Sequence, residues 1–504
     1  MHTGQQAGAG GTFDGKRVDI IKRRVSSDLI EKVAKLQPEQ YELSDKGNAR
    51  LFADMYRDCL RYNSTAREWF YYNGQRWQQD TGGMIAENKA KELSDILCAY
   101  VNRIEDEAVR TGYMKHIAKL GSRRVRKTMI DDSRDLNFIT NADMDKDLYL
   151  LNCQNGVLDL RTFEFKPHSP DFLMTKMAQV TYNPAADSAE WEKFINAVLQ
   201  DNKAKIRYVQ KLFGYSLTGG TNEECCYLFY GASTRNGKST AVETYAYMLG
   251  NTDGYALNMR PETLAQKQNT DSRQASGDIA RLDGCRFLNA SEPPKRMIFD
   301  VALLKTLLGR DSITARHLHQ SEFQFVPVFK LFINTNYLPL ITDDTLFTSG
   351  RLNVITFDRH FKPEEQDKGL KDRLKEPDNL SGLLNWCIEG LKAYYVEGAM
   401  PPECVTAATA EYRANSDKIG NFIAECLEES TENSTIKEVY EKYILWCRDN
   451  GFGAENKSNF TAELNGKGLV GAGKVNGMTY KKVVKGYAIS TDFVPLPDDK
   501  GTPF

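Results

Sequence analysis

Nowhere does the chain run apolar for the roughly 18 residues that a membrane-spanning helix needs, so a helical membrane protein is not expected. Charge of one sign is not in excess either. Lys and Arg number 66 and Asp and Glu 68, a formal net charge of −2. That balance excludes a uniformly basic coat for nucleic acid and leaves room for a local basic channel. The ten cysteines, at 59, 98, 153, 225, 226, 285, 387, 404, 426 and 447, include no C-x-x-C pair, which argues against a zinc ribbon. The opening MHTGQQAGAGGTFDGKR has no apolar core, so a secretory leader is not expected. Reduced thiols and a cytoplasmic location follow as expectations. What the chain has in quantity is aromatic: 24 Phe, 24 Tyr and 5 Trp supply large faces to bury, which excludes disorder of the whole. Its 504 residues suggest three or four domains.

Patterning divides the chain into five stretches. Residues 1–17 are Gly-rich and read as a flexible tail. Residues 18–190 read as a mixed helical and β domain. Within it, Leu51, Phe52, Met55, Tyr56, Cys59 and Leu60 recur at helical spacing. Trp69 to Trp77 reads as two strands about an Asn73-Gly74 turn, and Leu148 to Phe165 as further strands about a second Asn-Gly. A basic run, Gly121 to Lys127, reads as a solvated face or a nucleic-acid contact. Residues 191–361 begin with helices and continue as apolar runs alternating with helices, the mark of an α/β core with a mainly parallel sheet. Residues 362–425 read as helical, punctuated by Pro363, Pro377, Pro401 and Pro402, and residues 426–504 as a small separate domain.

The most informative stretch follows the apolar run Cys226–Tyr230. Gly231, Ala232, Ser233, Thr234, Arg235, Asn236, Gly237, Lys238, Ser239 and Thr240 lead into a helical pattern stopped by Gly250. Strand, small-residue loop, Gly-Lys-Ser, helix is the order of a phosphate-binding loop. Backbone N–H groups wrap the anion, Lys238 neutralises phosphate charge, and the Ser239 hydroxyl ligates Mg²⁺. In G-x-x-x-x-G-K-[ST] the first Gly would fall at 232, which is Ala; Gly231 stands one residue earlier. The next strand, from Cys285, ends in Ser291-Glu292, and Glu292 is the expected Mg²⁺-associated acid. Asp283 is its rival, at the wrong end of the strand for a site at the carboxyl edge. A third strand leads to Asn334-Thr-Asn336. Asn336 is the favoured amide for orienting attacking water, with Asn334 as the alternative.

At this point the residues resemble a family. The ordered set is Gly-Lys-Ser-Thr; Gly284 to Glu292; Leu304 to Arg316; Phe332 to Asn336 with Leu338-Pro339; then Gly350-Arg351 and Phe357. It is similar to the superfamily 3 helicase domain, an AAA+ ATPase, of phage, plasmid and poxvirus primase-helicases. Leu43 to Ala49, Trp77, Leu151 to Gly156 and Ser381 to Trp386 extend the likeness over most of the chain. The resemblance implies an ATP-dependent DNA helicase of phage or mobile-element replication: a ring, usually a hexamer, with ATP sites between subunits and single-stranded or forked DNA in the centre. Lys238 and Ser239 would belong to Walker A, Glu292 to Walker B and Asn336 to sensor 1. Arg351 would be the arginine finger, and Lys305 would reach across the same interface. Arg316, His317 and His319 would grip DNA from a pore hairpin. A separate primase or polymerase is an expected partner, because no primase signature precedes the Asn-Gly segment.

In the last stretch a helix capped by Ser434 or Thr435, a second from Ser458 to Leu464, and strands from Tyr480 to Ile489 outline a winged helix. Lys474, Lys481, Lys482 and Lys485 are its candidate phosphate contacts. An ATP-regulated origin-binding or loading scaffold, or a translocase that does not unwind, stands as the alternative function.

Overall fold

The computed structural model describes residues 25–266, 277–295, 297–316, 322–341, 343–450 and 452–490. The expected tail, His317 and His319 lie outside the described residues.

The N-terminal part packs five helices against a three-stranded meander. They are α1 (Ser27–Leu36), α2 (Asp45–Tyr56), α3 (Met84–Tyr100), α4 (Glu107–Leu120) and α5 (Arg123–Asp132). The strands are β1 (Leu60–Asn63), β2 (Glu68–Tyr72) and β3 (Trp77–Asp80). The helical spacing noted above places Leu51, Phe52, Met55 and Tyr56 on the buried side of α2. Ser44 caps that helix by accepting from the Gly47 N–H. Asn73-Gly74 turns β2 into β3, with Gly74 at φ +99°. A second meander follows: β4 (Leu150–Cys153), β5 (Gly156–Asp159) and β6 (Phe165–Lys166).

Two helices, α6 (Ala189–Val198) and α7 (Lys203–Ser216), precede the central sheet. Its strands are β7 (Cys226–Tyr230), β8 (Ala256–Met259), β9 (Phe287–Ser291), β12 (Lys330–Thr335) and β13 (Leu352–Thr356). Between β9 and β12 stand α9 (Val301–Leu308) and a hairpin of β10 (Ile313–Ala315) with β11 (Phe323–Phe325); α8 (Lys238–Leu249) follows β7. The sheet order is β13-β7-β12-β9-β8, and every pairing is parallel. The chain runs from β7 to the far edge, returns through β9 and β12, and crosses β7 to add β13.

Alternation along each strand feeds two apolar layers. Tyr227, Phe229, Phe287 and Phe332 join Phe213 of α7 and Tyr245 of α8 on one face. Leu228, Leu288, Leu331, Ile333 and Val354 join Leu304 and Leu307 of α9 on the other. Phe213 stacks on Tyr245 with centroids 4.2 Å apart. Helices α10 (Pro377–Glu397) and α11 (Glu403–Ser416) close the two layers, through Leu384, Cys387 and Leu391 on one side and Tyr412 on the other.

The C-terminal unit has its own core, beginning at Ile419 and Phe422 of helix Lys418–Cys426. It starts ahead of the boundary at 426 because that helix turns its apolar side to Tyr443, Trp446 and Phe460. Helices Ile436–Asp449 and Lys457–Gly466 are followed by a hairpin of Val470–Val475 with Met478–Val484. Thr435 caps the first helix in a reciprocal box with Glu438. Lys481 and Lys482 are exposed neighbours on the second hairpin strand. No helix among the described residues is long and apolar enough to cross a membrane, and all ten cysteines are free thiols.

Candidate nucleotide site at the carboxyl edge of the sheet

The loop from Gly231 to Gly237 runs from the carboxyl end of β7 to the start of α8. Arg235 (φ +56°) and Gly237 (φ +84°) take left-handed conformations on either side of Asn236. Such alternation turns successive N–H groups to one side and forms an anion-binding concavity. The helix start adds N–H groups that have no acceptor within the helix. A side chain at Gly237 would strike Val198: its Cβ would lie 2.2 Å from Cγ1. Gly237→Ala is expected to lower stability by about 1–3 kcal/mol and weaken nucleotide binding together. Thermal unfolding with and without ATP measures both.

The displaced first glycine has a packing reason. A Cβ at 231 would sit 2.2 Å from Asn236 Nδ2 and 2.8 Å from the Phe357 carbonyl. Position 232 is exposed and tolerates alanine. Asn236 is buried and donates to the Ser233 carbonyl at 2.6 Å, tying the loop to itself. The segment after β13 backs the loop: Phe361 N–H donates to the Arg235 carbonyl at 3.0 Å, and His360 Nδ1 lies 2.8 Å from the Thr234 carbonyl.

Lys238 is 3% exposed. Its Nζ donates to Asn336 Oδ1 at 2.7 Å, to Asn236 Oδ1 at 3.1 Å and to the Gly231 carbonyl at 3.4 Å. Every one of these partners is neutral. Burial therefore pushes its pKa down to about 8, and the Glu292 carboxylate only partly restores it. A buried cation held by neutral acceptors fits an incoming polyphosphate. Phosphate favours the charged form, so nucleotide affinity should be steady below about pH 8 and fall above it. The fall approaches tenfold per pH unit, about 1.4 kcal/mol, until the pKa of the complex is reached. Titrating the Kd of a non-hydrolysable ATP analogue against pH checks this; a flat profile through pH 9 contradicts it.

Ser239 accepts from Asn334 Nδ2 at 3.2 Å, and Asn334 is itself buried on β12. The two asparagines thus divide: Asn336 meets Lys238, and Asn334 meets Ser239. Glu292 lies just past β9, exposed, at φ +56°, and its N–H donates to the Asn334 carbonyl at 2.7 Å. Lys238, Ser239, Glu292 and Asn336 are therefore gathered at the carboxyl tips of β7, β9 and β12. The donor set suits Mg²⁺ bound to a nucleotide, with a hydroxyl and a carboxylate as its oxygen ligands. No cluster of three His, Cys, Asp or Glu able to hold a metal alone exists among the described residues.

Arg351 and Lys305 are brought together elsewhere. Arg351 precedes β13, at the amino edge of the sheet. Its guanidinium donates to Glu224 Oε2 at 2.7 Å and to the Lys305 carbonyl at 3.2 Å. Arg310 Nε shares Glu224 at 3.3 Å. Lys305 lies on α9, which Asp300 caps and Gly309 ends, and its Nζ reaches Asp343 at 3.2 Å and the Thr345 hydroxyl. Arg316 follows β10 directly. Sequence reasoning placed Asn236 in the loop but not its contact with Lys238, and it missed Glu224 and the His360 contact. Nothing local in the sequence marks these contacts.

Two family profiles match the sequence: D5 N terminal like over residues 49–200, and poxvirus D5 protein-like over residues 414–490. "Putative helicase L207/L206" of Acanthamoeba polyphaga mimivirus is 27% identical over 461 residues, covering 83% of this chain and 47% of that protein. "Putative helicase 022R" of Frog virus 3 is 28% identical over 252 residues, covering 46% and 25%. The chain spans less than half the length of these relatives. Among solved structures, the A form of the apo NrS-1 C-terminal region gives a TM-score of 0.44 at 9% identity, over 85% of this chain and 96% of that one. The chain thus carries a D5 N terminal-like segment before the loop-bearing sheet and a poxvirus D5-like segment after it, and it is similar to large-DNA-virus proteins named as putative helicases, a pattern consistent with the superfamily 3 primase-helicases.

Proposed function

We propose that the chain is the ATP-driven motor of a DNA helicase in viral genome replication, ring-forming and completing each ATP site with an arginine from the next subunit. The observation that carries this is the buried Lys238, held by neutral acceptors inside a loop that presents N–H groups to an anion. The reaction is in-line attack of water on the γ-phosphate. Lys238 stabilises the charge that spreads over the transferring group, and Asn336 fixes that ammonium and orients the attacking water. Asn334 orients the Ser239 hydroxyl. Glu292, at the tip of β9, takes the proton from the attacking water. Mg²⁺, held by Ser239 and associated with Glu292, would neutralise β- and γ-phosphate charge when bound. Arg351 of the neighbouring copy supplies further positive charge in the transition state, and Lys305 lies on the same face. DNA contacts are proposed for Arg316, His317 and His319 and for Lys481 and Lys482.

Unwinding of a labelled forked DNA with ATP and Mg²⁺ tests the proposal. The wild-type chain is expected to separate the strands and Lys238→Ala to leave them paired. DNA-stimulated ATP hydrolysis without strand separation would replace the helicase with a translocase, and the absence of both activities would favour an ATP-regulated scaffold.

A further inference from the structure

The basic run at the start of α5 is not used by the ATP site, and the structure shows what it builds. Arg123, Arg126 and Lys127 of α5 converge with Lys91 of α3 on a cavity of about 360 Å³, which Ile130 also lines. Glu87 is the one carboxylate on its wall. It approaches Arg123 only to 3.9 Å, and the Arg123 side chain is 82% exposed, so the pair neutralises little. Arg124, Arg126 and Lys127 form no ion pair among the described residues. Arg126 is fixed instead by donating to the Leu120 and Gly121 carbonyls at 2.7 and 2.8 Å. Among the described residues, Lys91 Nζ meets only Asn88 Oδ1, at 3.4 Å. The first turn of α5 carries two arginines and no acidic residue, and the Ser122 side chain does not cap it. Cations there face the positive end of the helix, an arrangement that stabilises nothing until an anion arrives.

Resting on the DNA-binding part of the proposed function, we propose that this pocket in the D5 N-terminal-like region binds the phosphodiester backbone of nucleic acid. Four cations against one carboxylate match a polyanion, and with three on α5 and one on α3 they are spread over two helices, so the chemistry reads charge and spacing rather than base identity. The pocket is a second DNA contact, apart from the hairpin and the ATP site.

The test is fluorescence anisotropy of a labelled oligo-dT strand and of a mixed-sequence duplex over a salt series. Arg123→Ala/Lys127→Ala is compared with wild type. Both residues are exposed and neither lies in the nucleotide site. Removing two phosphate contacts should weaken binding roughly tenfold at moderate salt and reduce the slope of log K against log salt by about 1.4 on single strands. Arg123→Lys, which keeps the charge, should retain the slope, and Lys91→Ala should reduce it by about 0.7. ATP hydrolysis without DNA should be unchanged in all of them, which separates a binding defect from misfolding. Wild-type binding with an unchanged slope in the double variant overturns the pocket alone and leaves the helicase reading standing. A wild-type chain that binds neither probe overturns both. A larger loss on duplex than on oligo-dT identifies the double-stranded arm of the fork as the occupant.

Discussion

Lys238→Ala should abolish ATP turnover, by roughly a thousandfold or more, while leaving the fold intact. The magnitude follows from position. A charge inside a water-poor pocket acts on the developing phosphate charge with little screening, and deleting one such preorganised donor typically costs a hundred- to a thousandfold. Here the loss is compounded, because Lys238 also holds Asn336 at 2.7 Å and Asn236 at 3.1 Å. Truncation leaves two amide oxygens without their donor and frees the residue assigned to orient water. The ammonium is destabilised by its own burial, so its removal costs the empty protein little. The melting temperature without nucleotide should stay within a few degrees of wild type, and the rise that ATP confers on the wild-type protein should vanish. Lys238→Arg should not restore turnover, because the larger planar group cannot fill the space bounded by the Gly231 carbonyl and Asn236.

Much of this site could be read from the chain, for local reasons. The apolar run Cys226–Tyr230, the loop and the helix ending at Gly250 are contiguous, so motif and structure coincide. The strands after it are apolar because both faces of the sheet are covered, which made Phe287 to Ala290 and Leu331 to Ile333 visible. The edge strand Ala256–Met259 was not visible. It is four residues long, with half-buried Leu257 and exposed Asn258 between its buried ends, so it shows no run and no clean alternation. Long-range partners were equally silent. Ser239 and Asn334 are 95 residues apart, and Glu224 and Arg351 are 127 apart, so only the folded sheet brings each pair together.

Arg351→Ala should also remove turnover, yet leave ATP binding close to wild type. Leu352 pairs with Cys226 and Thr356 with Tyr230 in parallel register, so Arg351 lies at the opposite edge from its own phosphate loop. Five residues at about 3.3 Å each separate the two edges by about 16 Å, beyond the reach of one arginine side chain. Its guanidinium also turns to Glu224, not along the sheet. It cannot serve its own nucleotide, and its 27% exposed side chain remains available to a neighbour. Loss of such an arginine typically costs 10³–10⁵ in rate. Equilibrium binding of a fluorescent ATP analogue should change less than about threefold, because the residue acts in the transition state and not on the bound substrate. A large loss of nucleotide affinity would place Arg351 in its own subunit's site.

The most direct measurement is ATP hydrolysis by a mixture of Lys238→Ala and Arg351→Ala subunits. Each alone should be inactive. Mixed, an Arg351→Ala subunit offers an intact loop and a Lys238→Ala neighbour offers an intact arginine, so some interfaces are complete and hydrolysis should return to a measurable fraction of wild type. If both variants are inactive alone and the mixture stays inactive while still assembling, the ATP site is not shared between subunits, and the central claim is wrong.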